Sequence, residues 1–278
     1  MFEPKSVSDH IYSKHAKILI GIFSGTDKFV YHGLENLVIE GPNIISSNHP
    51  DVGKGIAAIA KLGLKEADRR LDFAARKELF SKEGFKRLIG KYAKKNIFRL
   101  MARQALKPLE AFLTNYIPDT LNKTGIIPVD IATDNNMKAS KFNMNVMKED
   151  MDLKLRLGHA IVLFQYNKDK TSSPYHHYIR RFHQTTARLA EYAYINSGLL
   201  VPVTPVSIHG GIGLLPMKKI IVNVGEPMYI TDFLDEQKPL RAMTDALEKR
   251  TAELLEESGL KDDPKKHKND ERYMSKTS

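Results

Sequence analysis

A single histidine follows a short strand pattern, at a point where catalytic groups are commonly presented. Residues 43–47 have the composition and length of a β-strand, and they lead directly into Ser47-Asn48-His49-Pro50-Asp51. In open α/β sheets, the loops at the carboxyl ends of the strands carry ligands and reacting groups. A neutral imidazole there can take a proton from a hydroxyl, so His49 is a candidate general base. A His-Pro turn is also common as a structural feature, and this segment alone leaves both interpretations open.

The elements that would position His49 alternate between strands and helices. Apolar runs bounded by turn residues predict strands at residues 29–31, 43–47, 71–75, 126–129, 160–164, 200–208 and 220–224. Amphipathic spacing predicts helices at residues 8–22, 54–65, 139–156, 179–197 and 240–258. This alternation predicts an α/β fold: a largely parallel central sheet flanked by helices on both faces, with an N-terminal amphipathic helix.

The chain divides by pattern into three parts. Residues 1–28 form the predicted N-terminal helix, residues 29–260 a single α/β domain, and residues 261–278 a charged tail without apolar periodicity that we expect to be disordered. The longest apolar stretch near the N-terminus, residues 18–23, is much shorter than the ~18 residues that a transmembrane helix needs. Residues 1–25 also lack the pattern of a signal peptide.

Composition excludes several kinds of site and favours an anionic partner. The 278 residues include no Cys, which excludes disulfides, a thiolate nucleophile and Cys-ligated zinc or iron–sulfur centres. The net charge is +10, and residues 76–107 carry eleven Lys or Arg against two Glu, a local net of about +9. Apolar residues recur there at helical spacing between the cations. The stretch is therefore either a solvated helix face or a surface for an anionic membrane. Nucleic acid is the less favoured polyanion, because aromatic residues for base stacking are sparse.

Several segments, in the same order along the chain, resemble the glycerolipid acyltransferase family typified by 1-acyl-glycerol-3-phosphate acyltransferases. The resemblance spans residues 29–257. Its segments are VYHGLENL at residues 30–37, IISSNHP at 44–50, FAARKELF at 73–80, GIIPVD at 125–130, VPVTPVSI at 201–208 and VGEPM at 224–228.

The resemblance implies transfer of a fatty acyl group from a coenzyme A or acyl-carrier-protein thioester to a hydroxyl of a glycerol phosphate or lysophospholipid. In this scheme the acyl thioester is a substrate, and no metal or other cofactor is required. His49 would be the general base for the acceptor hydroxyl. The implied location is cytoplasmic and peripheral to a membrane.

The chain departs from the family within the catalytic motif. The family has Asp five positions after the histidine, where this chain has Lys54, which cannot accept an imidazole N–H. Asp51 is the nearby carboxylate that could replace it, although Asp51 could equally be the N-cap of the following helix. The family's Phe-Pro-Glu-Gly-Thr-Arg motif is reduced here to Phe164, with Tyr166 at the position of the Glu. Ile131 replaces an Arg that follows Val-Asp in the family.

Other cations could hold the acceptor phosphate. The candidates for substrate binding are Arg76 and Lys77, and Arg180 and Arg181 at the start of the predicted helix 179–197; each could instead be a solvated surface residue. The cluster of His176, His177 and His183 contains no acidic residue, and we expect no metal there. The nine histidines other than His49 are interpreted as structural.

Three functions remain open at this point. The first is an active, divergent acyltransferase, with activity in doubt because Lys54 and Tyr166 replace acidic residues of the family. The second is a member of the same fold that binds a lipid or acyl thioester without turnover. The third is a basic nucleic-acid-binding protein.

Overall fold

The computed structural model describes residues 28–48, 54–63, 69, 71–93, 114–116, 118–119, 121, 126–130, 137–165, 172–210 and 219–266. Its strands are β1 Lys28–His32, β2 Asn43–Asn48, β3 Leu71–Arg76, β4 Ile127–Val129, β5 Ala160–Gln165, β6 Val203–Gly210 and β7 Lys219–Val224. Its helices are α1 Lys54–Lys61, α2 Lys82–Ala93, α3 Met137–Val146, α4 Asp152–Arg156, α5 Thr185–Ser197 and α6 Pro239–Glu257. The predicted N-terminal helix at 8–22 lies outside the described residues.

The chain divides into two compact units. The larger unit comprises Ala16–Leu71 and Met147–Ser278, and the smaller comprises Met1–His15 and Asp72–Val146. In the larger unit, β2 pairs in parallel with both β5 and β6, with Ile44 opposite Ile161 on one side and Val203 on the other. Strand β7 is antiparallel to β6, and the edge strand β1 is parallel to β7. The carboxyl ends of β2, β5 and β6 therefore lie at one edge of the sheet.

Helices cover both faces of this sheet, as the side-chain alternation of β7 demonstrates. The side chain of Asn223 donates a hydrogen bond to the carbonyl oxygen of Leu254 in α6 (2.9 Å), so Asn223 points to the α6 face. Its neighbour Val222 points the opposite way, and Val222 is in register with Tyr31 of β1. The Tyr31 hydroxyl donates to the carbonyl oxygen of Ala58 in α1 (3.3 Å). Helix α1 thus covers the face opposite α6, and the predicted α/β fold with a largely parallel sheet is confirmed.

In the smaller unit, β3 and β4 form a parallel pair with Arg76 opposite Val129. A short 3-10 turn, Lys77–Phe80, joins β3 to α2. Helix α2 lies within the predicted basic stretch, residues 76–107. Phe85 is buried, while the cations of its other face are exposed: Lys82, Lys86 and Arg87. Helix α2 therefore combines an apolar packing side with a charged solvent side.

Two helices differ from the sequence expectation. The predicted helix 139–156 is α3 followed by a π turn, Met147–Met151, and the five-residue α4. Helix α5 begins at Thr185 rather than at residue 179, because preceding backbone groups already have partners. The carbonyl oxygen of Ile179 accepts the N–H of Ser173, and the N–H of Phe182 is donated to the carboxylate of Glu248.

Two motifs of the family resemblance contribute to packing at the edge opposite the carboxyl end of β2. Gly33 adopts a left-handed conformation (φ 70°), and a Cβ there would lie 2.1 Å from the carbonyl oxygen of Val224. Only glycine fits such a close approach of two backbones. Asn36, three residues later, donates its side-chain amide to that same oxygen (3.1 Å). The Gly-x-Glu-Asn segment, residues 33–36, therefore packs the turn after β1 closely against the end of β7.

Part of the charged tail has defined contacts. The described residues at 261–266 include the 3-10 turn Pro264–Lys266, and Asp262 accepts the backbone N–H of His177 (2.8 Å). Residues 267–278 lie outside the described part of the chain. None of the helices within that part combines the length and apolar character needed to cross a bilayer.

Candidate functional site

The carboxyl end of β2 is polar and completely enclosed. Ser46 and Ser47 have no exposed surface, and Asn48 is 3% exposed. Buried polar side chains are stable only when they are hydrogen-bonded, so this end of the strand must be tied to its neighbours. Asn48 is the last described residue before His49. The two predicted catalytic residues, His49 and Asp51, lie outside the described residues, and their roles stay predictions.

Asn48 clamps the end of β2 to β6. Its Nδ2 donates to the carbonyl oxygen of Ile208 (2.9 Å), and its Oδ1 accepts the backbone N–H of Ile208 (2.8 Å). Backbone pairing between the two strands extends as far as Ser47 opposite Val206. The side-chain amide continues the ladder beyond that point, so the chain leaves β2 from a fixed position.

A second amide ties β2 to β5 and α5. Gln165, the last residue of β5, donates its Nε2 to Ser46 Oγ (3.1 Å) and also to the hydroxyl of Thr186. Gln165 is 6% exposed and Thr186 is 1% exposed, so both bonds are shielded from water. The neighbours of β2 on both sides thus contribute to holding its carboxyl end. This rigidity is what a site requires of the strand that presents its reacting group.

Lys54, which occupies the position of the family's acidic partner of the histidine, is the first residue of α1. The structure does not describe its side chain. Tyr166, the replacement for the family's Glu, lies outside the described residues. Asp51, the predicted N-cap of α1, also lies outside the described residues.

Arg76 and Lys77, in the smaller unit, are both paired with carboxylates. Arg76 lies 2.9 Å from Glu78 Oε1 in an ion pair. Partial burial alone would raise the pKa of Glu78, but the hydrogen bond and charge of Arg76 outweigh it and the pKa is lowered. Lys77 forms an ion pair with Asp130, and Asn143 fixes Asp130 by bonding both its backbone N–H and its carbonyl oxygen. Binding a phosphate would require either cation to share or exchange its partner.

Arg181, in the larger unit, lies between two carboxylates on α6. Its Nε is 3.8 Å from Glu248 Oε1, and its guanidinium is 3.8 Å from Asp245 Oδ1. Glu248 is fully buried. Burial raises the pKa of Glu248, and the Phe182 N–H, the Ser173 hydroxyl and the Arg181 charge offset this only in part. Arg180 forms an isolated antiparallel bridge with Ser172. Arg181 is thus placed to compensate a buried carboxylate.

The histidine cluster does have an acidic neighbour, contrary to the sequence expectation. Ligand atoms of His176, His177 and Asp262 lie within 4.8 Å of one another, a composition that could hold a metal ion. His183 is exposed and is not part of the group. Asp262 was missed because it lies more than eighty residues later and reaches His177 only through folding.

Hydrogen bonds already occupy both ring nitrogens of His176 and the Nδ1 of His177. His176 is fully buried; its Nδ1 accepts the N–H of Tyr178 (3.0 Å), and its Nε2 lies 2.9 Å from the carbonyl oxygen of Leu260. The N–H of Asp263 is donated to His177 Nδ1 (2.9 Å). A metal ligand must offer a free lone pair. The arrangement therefore fits a structural role, in which His176 and His177 hold the segment after α6, better than it fits a metal centre.

Sequence reasoning also overlooked His209. It lies near the end of β6, directly after the clamped Ile208, and it is half-buried. Its Nδ1 is buried and has no hydrogen-bond partner among the described residues. Burial lowers the pKa of His209, and the nearby His176 lowers it further. The family-like segment VPVTPVSI ends directly before His209 but does not include it.

No protein-family model matches the chain, and no curated protein matches it. Among solved structures, the chain is similar to the 1-acyl-sn-glycerophosphate acyltransferase PlsC from Thermotoga maritima, with 19% sequence identity and a TM-score of 0.47. The similarity covers 90% of this chain and 80% of that one. At this level of identity and superposition, the likeness assigns neither family nor activity to this chain.

Proposed function

We propose that this protein is an acyltransferase that moves a fatty acyl group from a coenzyme A or acyl-carrier-protein thioester to a hydroxyl of a glycerol phosphate or lysophospholipid. His49 is the general base in this proposal. The observation that carries it is the clamp between Asn48 and Ile208, because the residue that follows Asn48 is the one that the motif IISSNHP assigns to catalysis.

The position of the clamp supports a site at this edge of the sheet. Three strands, β2, β5 and β6, run in parallel and end there. Crevices outside the carboxyl ends of parallel strands are the usual ligand sites of open α/β sheets. Two buried side-chain amides, those of Asn48 and Gln165, hold this edge beyond what backbone pairing supplies.

The chemistry requires one base and no redox group. Neutral His49 takes the proton of the acceptor hydroxyl while its oxygen attacks the thioester carbonyl carbon. The carbon–sulfur bond then breaks, and the leaving thiolate takes the proton from the His49 imidazolium. An acceptor for the second ring nitrogen would stabilise that imidazolium, and Asp51 is the residue that we assign to this role in place of the family's Asp.

Arg76, Lys77, Arg180 and Arg181 remain our candidates for the phosphate of the substrate. Arg76 is the strongest of them, because its segment FAARKELF resembles that of the family and its side chain is partly exposed (35%). Arg181 is the weakest, since it compensates the buried Glu248. We place the enzyme peripherally on the cytoplasmic side of an anionic membrane, a location that the exposed cations Lys82, Lys86 and Arg87 of α2 support.

A second candidate is a protein that binds a lipid or acyl thioester without turnover. The ion pairs of Arg76 with Glu78 and of Lys77 with Asp130 favour it, because they neutralise two cations that an active site would direct at phosphate. Lys54 at the position of the family's acidic residue points the same way. Such a protein would retain ligand binding after loss of His49.

The two candidates are separated by following the ester product. Mass spectrometry of extracts should detect an acylated acceptor when the protein is incubated with an acyl thioester and a lysophospholipid. The product should be absent with His49→Ala and reduced with Asp51→Asn. Equal binding of acyl thioester by the parent protein and His49→Ala, with no ester from either, would establish the second candidate.

A further inference from the structure

One ring nitrogen of His177 faces two groups that it cannot serve at the same time. Its Nδ1 lies 2.9 Å from the backbone nitrogen of Asp263, whose N–H needs a lone pair, and 2.9 Å from Oδ1 of Asp262, which needs a hydrogen. An Nδ1 without hydrogen accepts the N–H, and an Nδ1 that carries hydrogen donates to the carboxylate. A single hydrogen on Nδ1 therefore decides which of the two bonds forms.

The neighbouring His176 has no such conflict. Its Nδ1 accepts the N–H of Tyr178 (3.0 Å), and its Nε2 lies 2.9 Å from the carbonyl oxygen of Leu260. One neutral tautomer, with the hydrogen on Nε2, satisfies both atoms. A second hydrogen, on Nδ1 of this fully buried ring, would displace the Tyr178 N–H. The proton-dependent exchange of partners therefore belongs to His177, whose ring stacks on that of His176 with the centroids 4.9 Å apart.

Titratable groups on both sides of the His177 ring set its electrostatic surroundings. Asp262 stays beside the ring in either state, because its Oδ1 also accepts the backbone N–H of His177 (2.8 Å). Asp263 supplies a second carboxylate, which forms an ion pair with Lys266 at 3.2 Å. His176, on the same segment as His177, adds no charge in its neutral form. A proton taken up at Nδ1 therefore meets a carboxylate that is already in position to accept the N–H.

The bond at Nδ1 also joins two segments of the chain. Asp263 leads into the 3-10 turn Pro264–Lys266, where its Oδ1 accepts the N–H of Lys265 (3.1 Å) and its carbonyl oxygen accepts that of Lys266 (2.9 Å). The N–H of Asp263 itself is the one donated to His177. A change of partner at Nδ1 thus detaches the start of this turn from the segment that carries His177.

We propose that His177 is a pH-sensitive switch for the segment after α6. The neutral ring, with its hydrogen on Nε2, holds the turn by accepting the Asp263 N–H. The protonated ring takes one proton from solvent at Nδ1, donates it to the carboxylate of Asp262 and leaves the Asp263 N–H to water. Histidine is the side chain whose charge ordinarily changes between about pH 5 and 8, so the exchange falls within that range. The inference is independent of the proposed acyl transfer, because it uses none of the residues assigned to that reaction.

The scalar coupling that passes through an N–H···N hydrogen bond reports the two states directly. In the full chain labelled uniformly with ¹⁵N, we expect this coupling between the amide nitrogen of Asp263 and Nδ1 of His177 at about pH 8. As the pH is lowered towards about 5, the coupling should disappear while Nδ1 gains a hydrogen. No coupling at the upper pH, or a coupling that persists after the His177 ring is protonated, overturns the switch.

A matched pair of variants tests the part of Asp262. In Asp262→Asn, the side-chain oxygen still accepts the His177 N–H, but the negative charge that stabilises the protonated ring is gone. We expect the midpoint of the exchange to move down by about one pH unit or more. The exposed His183→Ala should keep the parent midpoint. Equal midpoints for Asp262→Asn and the parent overturn the proposal.

Discussion

Asn48 and Ile208 are joined across two strands by a closed ring of two hydrogen bonds, 2.9 and 2.8 Å long. The buried side-chain amide of Asn48 thus takes the place of a backbone hydrogen-bonded pair at the end of β2. The clamp fixes the point from which the chain continues into His49. It also brings β6, with His209 at its end, to the same edge of the sheet.

Removing the hydrogen bonds between Asn48 and Ile208 should lower the stability of the protein. We expect Asn48→Leu to lower the free energy of unfolding by about 2–5 kcal/mol, because two buried backbone groups of Ile208 lose their partners. Urea denaturation measures this. Asn145→Ala, at an exposed position of α3, is the matched control and should change stability by less than about 0.5 kcal/mol. Equal stabilities of Asn48→Leu and the control would show that the clamp is dispensable.

Glu248 makes stability depend on pH in a defined direction. Its folded-state pKa is raised above the usual 4.5, so its contribution is fully present below pH 4.5 and is lost as pH rises through the folded pKa. In Glu248→Gln the loss of stability with rising pH should vanish, while the side-chain oxygen of Gln still accepts the Phe182 N–H. Urea denaturation of parent and variant across this range measures the difference. The exposed Glu256→Gln, on the same helix, should follow the parent. An unchanged pH slope in Glu248→Gln contradicts the prediction.

Arg76 should matter for phosphate and not for the acyl donor. We expect Arg76→Gln to raise KM for a phosphate-bearing acceptor about tenfold or more, because a hydrogen bond to a charged group is worth about 1.5–3 kcal/mol. KM for the acyl thioester should stay the same. Lys141→Gln removes an exposed cation of α3 and serves as the control. Identical acceptor KM values for the two variants would remove Arg76 from the site.

His176 should be structural rather than a metal ligand. His176→Ala leaves the Tyr178 N–H and the Leu260 carbonyl without their partner and opens a cavity, so we expect a loss of about 2–4 kcal/mol in unfolding free energy. The exposed His183→Ala should be close to neutral. Added zinc should not raise the melting temperature of the parent. A rise that disappears in Asp262→Asn would instead establish a metal site.

Much of the fold follows from local sequence pattern. The strands at 43–47 and 160–164 were predicted to within one residue because Val, Ile and Leu runs bounded by turn residues are a local signal. The start of α5 was predicted wrongly. Residues 179–184 have helical spacing, but the carbonyl oxygen of Ile179 and the N–H of Phe182 are bonded to Ser173 and Glu248 instead of within a helix. A carboxylate on a distant helix decides that boundary, and periodicity does not contain this information.

The candidate site could be predicted only where a linear motif marks it. The segment IISSNHP predicted a strand that leads into His49, and β2 does end at Asn48, directly before that residue, whose catalytic role stays a prediction. Gln165 and Ile208 contact this strand end through the register between strands, which no single segment encodes. Asp262 likewise meets His177 only after the chain has folded back.

Release of free thiol from an acyl thioester, in the presence of a lysophospholipid acceptor, is the most direct test of His49 as general base. The parent protein should release thiol in step with ester formation, and His49→Ala should lower the rate by about 10²–10⁴-fold, the usual contribution of a general base. Thiol release by His49→Ala at the rate of the parent, or by neither protein across a range of acceptors, would contradict the proposed function.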